Sequence, residues 1–124
     1  MALVTEDIIS TEIAGTLDGL MYQRVKRTPD TTAYRSYDAA SKRWLDTSWR
    51  EVGEEVSRWQ TALAAEKLMA GVRAAVLLRN SKVWVFFDQA VLSCDLVTVP
   101  LYTDDRPDNI AYITGDAAVK VLLV

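Results

Sequence analysis

A chain of 124 residues, half of them apolar, is long enough for one core and too short for a second full domain. A quarter of the residues are charged and the net charge is -3, with no extended basic stripe, which argues against a nucleic-acid partner. The absence of any histidine removes histidine bases, Ser–His and Cys–His nucleophile pairs and histidine metal ligands together.

The amino terminus has no cationic start, and Thr5, Glu6 and Asp7 break its only apolar stretch, so it does not read as a signal peptide. Residues 1–15 are expected to be a loosely ordered lead-in. Leu17, Leu20, Met21 and Val25 then fall on one helical face, Thr16 can cap the start and Pro29 forbids continuation, which predicts a helix over 17–27. Residues 33–37 and 43–47 are short and partly aromatic. The segment Asp38-Ala39-Ala40-Ser41-Lys42 between them reads as the loop of a β-hairpin at one edge. Ser48-Trp49-Arg50-Glu51 is a Ser-x-x-Glu capping box, and Val52, Val56, Trp59 and Leu63 continue from it as one apolar stripe. The longest helix is therefore expected from there to about residue 67, stopping near Gly71.

Residues 74–78 form a continuous apolar run, as in a strand covered on both faces, and Asn80-Ser81 opens a helix over 82–94 that is apolar around most of its circumference. Cys94, the one cysteine, lies at the end of that helix and reads as a buried structural thiol in a reducing, cytoplasmic setting. Residues 96–99 are the next strand, ended by Pro100. A helix with Pro107 in its first turn follows, Gly115 reads as its stop, and residues 119–124 are the last strand. No apolar run approaches the roughly 20 residues that span a bilayer.

Strand–helix–strand–helix–strand with crossovers of this length means parallel pairing. The expected class is α/β: a parallel βαβαβ sheet flanked by helices, preceded by a helix and a hairpin, in a single partial domain over 1–124. The apolar strand at 119–124 is followed by no polar tail or covering helix. On this reading the sheet is an interior piece of a larger domain, and the fragment is expected to self-associate through its uncovered surface.

The five glycines are too far apart to build a phosphate-cradling loop or a dinucleotide fingerprint. Ligands of open parallel sheets gather at the carboxyl ends of the strands, which makes Arg79-Asn80-Ser81 and the segment from Leu101 to Asp105 the candidate ligand edge. The substrate-facing candidates are Asn80, Ser81, Tyr102 and Thr103. The plain alternative is that Asn80 or Ser81 caps a helix and that Asp104 and Asp105 favour the next helix start. A carboxylate pair after a parallel strand can also hold a hard cation, but no further acidic residue follows the first parallel strand to complete such a site. Trp49, Trp59 and Trp84 fall on core stripes or element starts, where packing explains them.

In order and spacing these segments resemble the amino-terminal region of AMP-forming acyl-CoA synthetases, of the adenylate-forming superfamily. The resemblance covers about 110 residues. It runs through Thr28-Pro29-Asp30 after the first helix, Ser48-Trp49-Arg50-Glu51-Val52, and Asn80-Ser81 with Trp84 and Asp88. Its most specific part is Val97-Thr98-Val99-Pro100-Leu101-Tyr102-Thr103 continuing to Ile113 and on through residues 118–122, which is similar to the long-chain fatty acid branch. Val72, Asp95 and Gly115 depart from the pattern: an acidic residue commonly follows the glycine where Val72 stands, and a glycine is usual at Asp95.

The resemblance implies a fatty acid–CoA ligase. A carboxylate attacks the α-phosphorus of ATP to give an acyl-adenylate and pyrophosphate, and the thiol of coenzyme A then displaces AMP, with Mg2+ neutralising the phosphates. The family's phosphate loop, its Tyr-Gly-x-Thr-Glu segment and its catalytic lysine have no counterpart here. No catalytic residue or metal ligand is carried over, and the fragment itself is expected to bind no cofactor and to be non-catalytic. Tyr112-Ile113-Thr114-Gly115-Asp116 spells the family's Tyr-x-Thr-Gly-Asp motif in the wrong place, before the third parallel strand, and is read as coincidence. The expected partners are a fatty acid, ATP and coenzyme A in the full-length enzyme, placed in the cytoplasm or peripherally at a membrane. Two alternatives stay open: a free-standing α/β interaction module of receiver or flavodoxin type, and an adenylating enzyme for another carboxylic acid.

Overall fold

The computed structural model describes residues 7–124, so the lead-in expected over residues 1–6 lies outside them. Residues 7–15, the rest of the loosely ordered lead-in expected from the sequence, contain one helical turn, α1 (Thr11–Ala14). Ser10 caps it by accepting from the Ile13 amide, a cap too short-ranged to show as hydrophobic periodicity. α2 (Leu17–Arg27) follows, capped by the Thr16 hydroxyl on the Gly19 amide.

β1 (Thr32–Asp38) and β2 (Arg43–Ser48) pair antiparallel, with Tyr37 opposite Trp44 and Arg35 opposite Asp46. β2 runs without a break into α3 (Trp49–Ala65). The junction is the predicted capping box: Ser48 Oγ accepts from the Glu51 amide at 3.2 Å, and Glu51 Oε2 accepts from the Ser48 amide at 2.7 Å. α3 ends at Ala65, slightly short of the expected boundary, because Lys67 enters the left-handed region at φ 52.

The second half is β3 (Arg73–Val76), α4 (Lys82–Ser93), β4 (Val97–Pro100), α5 (Pro107–Asp116) and β5 (Val121–Leu123). The strands form a parallel sheet of order β4-β3-β5 with β3 in the middle. The crossover from β3 to β4 and the one from β4 back past β3 to β5 run in opposite directions along the sheet. Right-handed connections therefore put α4 and α5 on opposite faces. Ala74, Ala75 and Val76 of β3 are fully buried, as a central strand covered on both faces requires. Val97 and Leu122 on the outer strands stay nearly half exposed.

The core lies between the sheet and the α3–α4 pair: Val52, Val56 and Leu63 from α3 meet Phe86, Phe87, Ala90 and Val91 from α4 over Ala74, Val76 and Leu96. Trp59 packs edge-on against Phe87 at 5.5 Å between ring centroids. α2 lies against α3 where Gly53 removes the side chain, since a Cβ there would stand 2.8 Å from Val25 Cγ1. Among the described residues no helix is long and apolar enough to cross a membrane.

The helix stop expected at Gly115 is corrected. α5 passes through Gly115 with helical geometry and ends at Asp116. The stop is Ala118, at φ 50, with the Val119 amide on the Thr114 carbonyl and the Ala118 amide on the Gly115 carbonyl, the bonding of a Schellman turn. α4 ends in the same way. Asp95 takes φ 57, the Leu96 amide donates to the Val91 carbonyl and the Asp95 amide to the Leu92 carbonyl. Asp95 stands where the resemblance leads one to expect glycine, and it takes the left-handed conformation without being one.

Candidate functional site

The carboxyl ends of β3 and β4 point the same way because the strands are parallel and in register, Val76 beside Pro100. The Leu77 amide bonds the Leu123 carbonyl and the Leu101 amide bonds the Val76 carbonyl, so the ladder extends beyond the formal strand ends before the chain turns away. Between the two departing loops lies a cleft of about 430 Å³, within the size range of small-ligand sites.

Three of the four substrate-facing candidates line this cleft: Asn80 from the loop after β3, and Tyr102 and Thr103 from the loop after β4. Tyr102 is 84% exposed and makes no side-chain hydrogen bond among the described residues. Ser81, the fourth, is not in the lining. Its hydroxyl accepts from the Trp84 amide at 3.3 Å and caps α4, the plain alternative considered for that pair. Trp84, read from sequence as a packing residue, is partly buried and supplies one wall of the cleft together with Leu78 and Pro100. Its position in the first turn of α4, three residues past the cap, is the signal that could have placed it there.

The two aspartates of the loop separate in role. Asp105 Oδ1 accepts from the Arg106 amide at 2.8 Å and from Asn109 Nδ2 at 2.9 Å, and so organises the start of α5. Asp104 lines the cleft without it. With one carboxylate engaged at the helix start, the pair does not make a cage for a divalent cation, and among the described residues no three histidine, cysteine, aspartate or glutamate side chains come together to hold a metal. The residues of this chain therefore do not fit Mg2+.

The Tyr112–Asp116 sequence lies at the other end of the sheet. α5 returns the chain to the amino edge of the strands, where Thr114 and Gly115 border a shallow groove with Val119, Lys120 and Val121. Thr114 Oγ1 is spent on the Ile110 carbonyl of its own helix, at 2.9 Å. Neither place nor bonding suits ligand recognition at the strand ends.

A three-strand parallel sheet with its cleft at the strand ends, preceded by a helix and a hairpin, is the architecture of the amino-terminal subdomain of adenylate-forming enzymes. The structure resembles the amino-terminal subdomain of Klebsiella oxytoca NpsA with a TM-score of 0.74 at 21% identity, covering 86% of this chain and 26% of that one. It resembles the Mycobacterium tuberculosis fatty acyl CoA synthetase with a TM-score of 0.73 at 22% identity, covering 82% and 20%. Residues 21–124 match the AMP-binding enzyme family, and the chain belongs to that family. Among characterised relatives, the long-chain-fatty-acid–CoA ligase FadD15 of Mycobacterium bovis is 23% identical over 104 residues. That alignment takes in 83% of this chain and 17% of the ligase, so the chain spans about a sixth of the length of the relative it matches.

Proposed function

We propose that this chain is the amino-terminal framework of an AMP-forming ligase that activates a long-chain fatty acid. In the first step a carboxylate oxygen of the acid bonds to the α-phosphorus of ATP and pyrophosphate leaves. In the second the sulfur of coenzyme A bonds to the acyl carbon and AMP leaves. The observation that carries this reading is the family match over residues 21–124, joined to the resemblance of the stretch from Val97 to Ile113 to the long-chain branch.

The chain's own part is to hold the cleft of Asn80, Trp84, Tyr102 and Thr103 at the edge where α/β sheets bind ligands. Its walls mix an indole, a phenol, an amide and a hydroxyl with the Arg79 guanidinium and the Asp104 carboxylate, a set suited to orienting a polar ligand. No side chain there pairs a nucleophile with a base.

ATP–pyrophosphate exchange tests this, comparing the 124-residue chain with the product of the complete reading frame. Palmitate-dependent exchange by the complete product alone is the expected result. Exchange by the isolated chain would overturn the framework role, and exchange driven by an aryl acid instead of palmitate would keep the ligase and replace its substrate. Tyr102→Ala with Thr103→Ala in the complete product is expected to alter acyl-chain preference, and an unaltered preference removes the cleft from substrate recognition.

A further inference from the structure

A second cavity, sharing no residue with the cleft at the strand ends, opens where α2, β1, α3 and α4 converge. It holds about 380 Å³, within the size range of small-ligand sites. Leu17 and Leu20 of α2 stand at its rim, 69% and 42% exposed, and Leu92 of α4 adds a further apolar wall. Tyr34 of β1 and Trp49 of α3 make an aromatic corner, their rings 5.8 Å apart between centroids and tilted by 55°. Burial pushes the Tyr34 hydroxyl up, so the phenol stays neutral at physiological pH.

The charges that line this cavity do not cancel. Arg24 is spent: its Nη1 meets Asp7 Oδ1 at 2.6 Å and its Nη2 donates to the Asp7 carbonyl at 2.6 Å. Asp88, half-buried on α4, lines the cavity and enters no ion pair among the described residues. Gln89 lines it as well, and its Oε1 lies out of solvent with no hydrogen-bond partner. With Arg24 and Asp7 neutralising each other, the cavity keeps one negative charge and one unpaired acceptor beside two aromatic rings. All three features favour a cation that carries N–H donors.

We propose that this cavity binds an arylalkylamine as its ammonium ion, with the ammonium donating to the Asp88 carboxylate and the Gln89 amide and the apolar body lying against Tyr34, Trp49 and Leu92. An anion fits less well, because the one guanidinium is already held by Asp7 and Asp88 would repel it. A neutral apolar molecule would fill the space but bring Asp88 no counter-charge and Gln89 no donor. The substrates of the proposed ligase, a fatty acid, ATP and coenzyme A, are all anions, so this site takes a ligand that none of them supplies. The inference is independent of which acid the ligase activates.

The test is titration calorimetry of the complete reading-frame product with 4-phenylbutylamine and with the neutral 4-phenylbutanol. The amine is expected to bind about tenfold more tightly than the alcohol, the worth of one charge-assisted hydrogen bond. Asp88→Asn is expected to remove that difference and leave the alcohol's affinity unchanged. Leu20→Trp, which fills the cavity from its rim, is expected to abolish binding of both. Should that variant lose the parent's circular dichroism spectrum, Leu17→Lys at the more exposed rim position sets a tethered ammonium beside the site and is expected to weaken the amine alone. Saturating palmitate and ATP are expected to leave the amine's affinity unchanged. No heat of binding, an alcohol that binds as tightly as the amine, an amine indifferent to Asp88→Asn, or displacement of the amine by palmitate would each overturn the proposal.

Discussion

Replacing Thr98 by valine is expected to stabilise this protein. β4 sets Thr98 beside Ala74 in register, on the face that α3 and α4 cover. Its Oγ1 is out of contact with solvent and without a hydrogen-bond partner. A buried polar group left unpaired costs about 1–3 kcal/mol. Valine has the same branched outline, so neither χ1 freedom nor strand propensity changes much on substitution. The expected gain is about 1–2 kcal/mol, which for a domain of this size raises the melting temperature by roughly 3–10 °C. Urea unfolding followed by far-UV circular dichroism reads it as a higher midpoint at unchanged slope. Thr98→Ser is the control: it keeps the hydroxyl, removes a buried methyl and is expected to lose about 1 kcal/mol. A Thr98→Val protein less stable than its parent would mean that Oγ1 is hydrogen-bonded in solution, and the argument from a dry, unpaired hydroxyl would fail.

Two further substitutions probe the helix ends. Asp95→Gly relieves a left-handed residue at φ 57 in an otherwise well-bonded Schellman turn, and a gain of several tenths of a kcal/mol in the same urea assay is expected after the extra flexibility of glycine is set against it. Ser48→Ala removes half of the capping box and is expected to cost about 1 kcal/mol. The Glu51 carboxyl is held below its ordinary value of 4.5 chiefly by the hydrogen bond from the Ser48 amide, then by the Ser48 hydroxyl. A depressed folded-state pKa adds stability above the unfolded value and loses it as pH falls through the folded one. Glu51→Gln should therefore flatten the decline in stability below about pH 4.5, measured as midpoint against pH, and an unchanged decline would remove the carboxylate from the cap.

The elements whose signals are local were legible before the structure. Ser48 and Glu51 name their own hydrogen bonds at fixed spacing, and the stripe of Val52, Val56 and Leu63 has one face to bury. The βαβ rhythm follows from apolar runs alternating with caps, and it fixed the edge at which Asn80, Tyr102 and Thr103 meet. Backbone stops were harder. Glycine at 115 is the residue type that ends helices, yet α5 runs past it and Ala118 takes the left-handed turn, because strand pairing of the next segment, with the Lys120 amide on the Arg73 carbonyl, decides where the helix must end. The division between Asn80 and Ser81 was equally hidden: either can cap α4, and only the path of the loop over the end of β3 shows that Ser81 does so while Asn80 faces the cleft.

The candidate site thus depends on turns far from it. Side-chain direction in a strand alternates with every residue, so a slip of one position in β4 would move Thr98 off the face it shares with Ala74 and exchange inward for outward along the strand. What prevents the slip is the Asp95 turn, tied from the other side by the Gly71 amide on the Asp95 carbonyl at 2.7 Å. That bond joins the entrances of β3 and β4 before either strand begins. It sets Val76 beside Pro100 at their exits, and through them the level at which Tyr102 and Thr103 stand across from Asn80. The strained residue at the amino edge and the exposed residues at the carboxyl edge are two ends of one register, which is how a non-glycine in a left-handed turn can matter to a cleft it never touches.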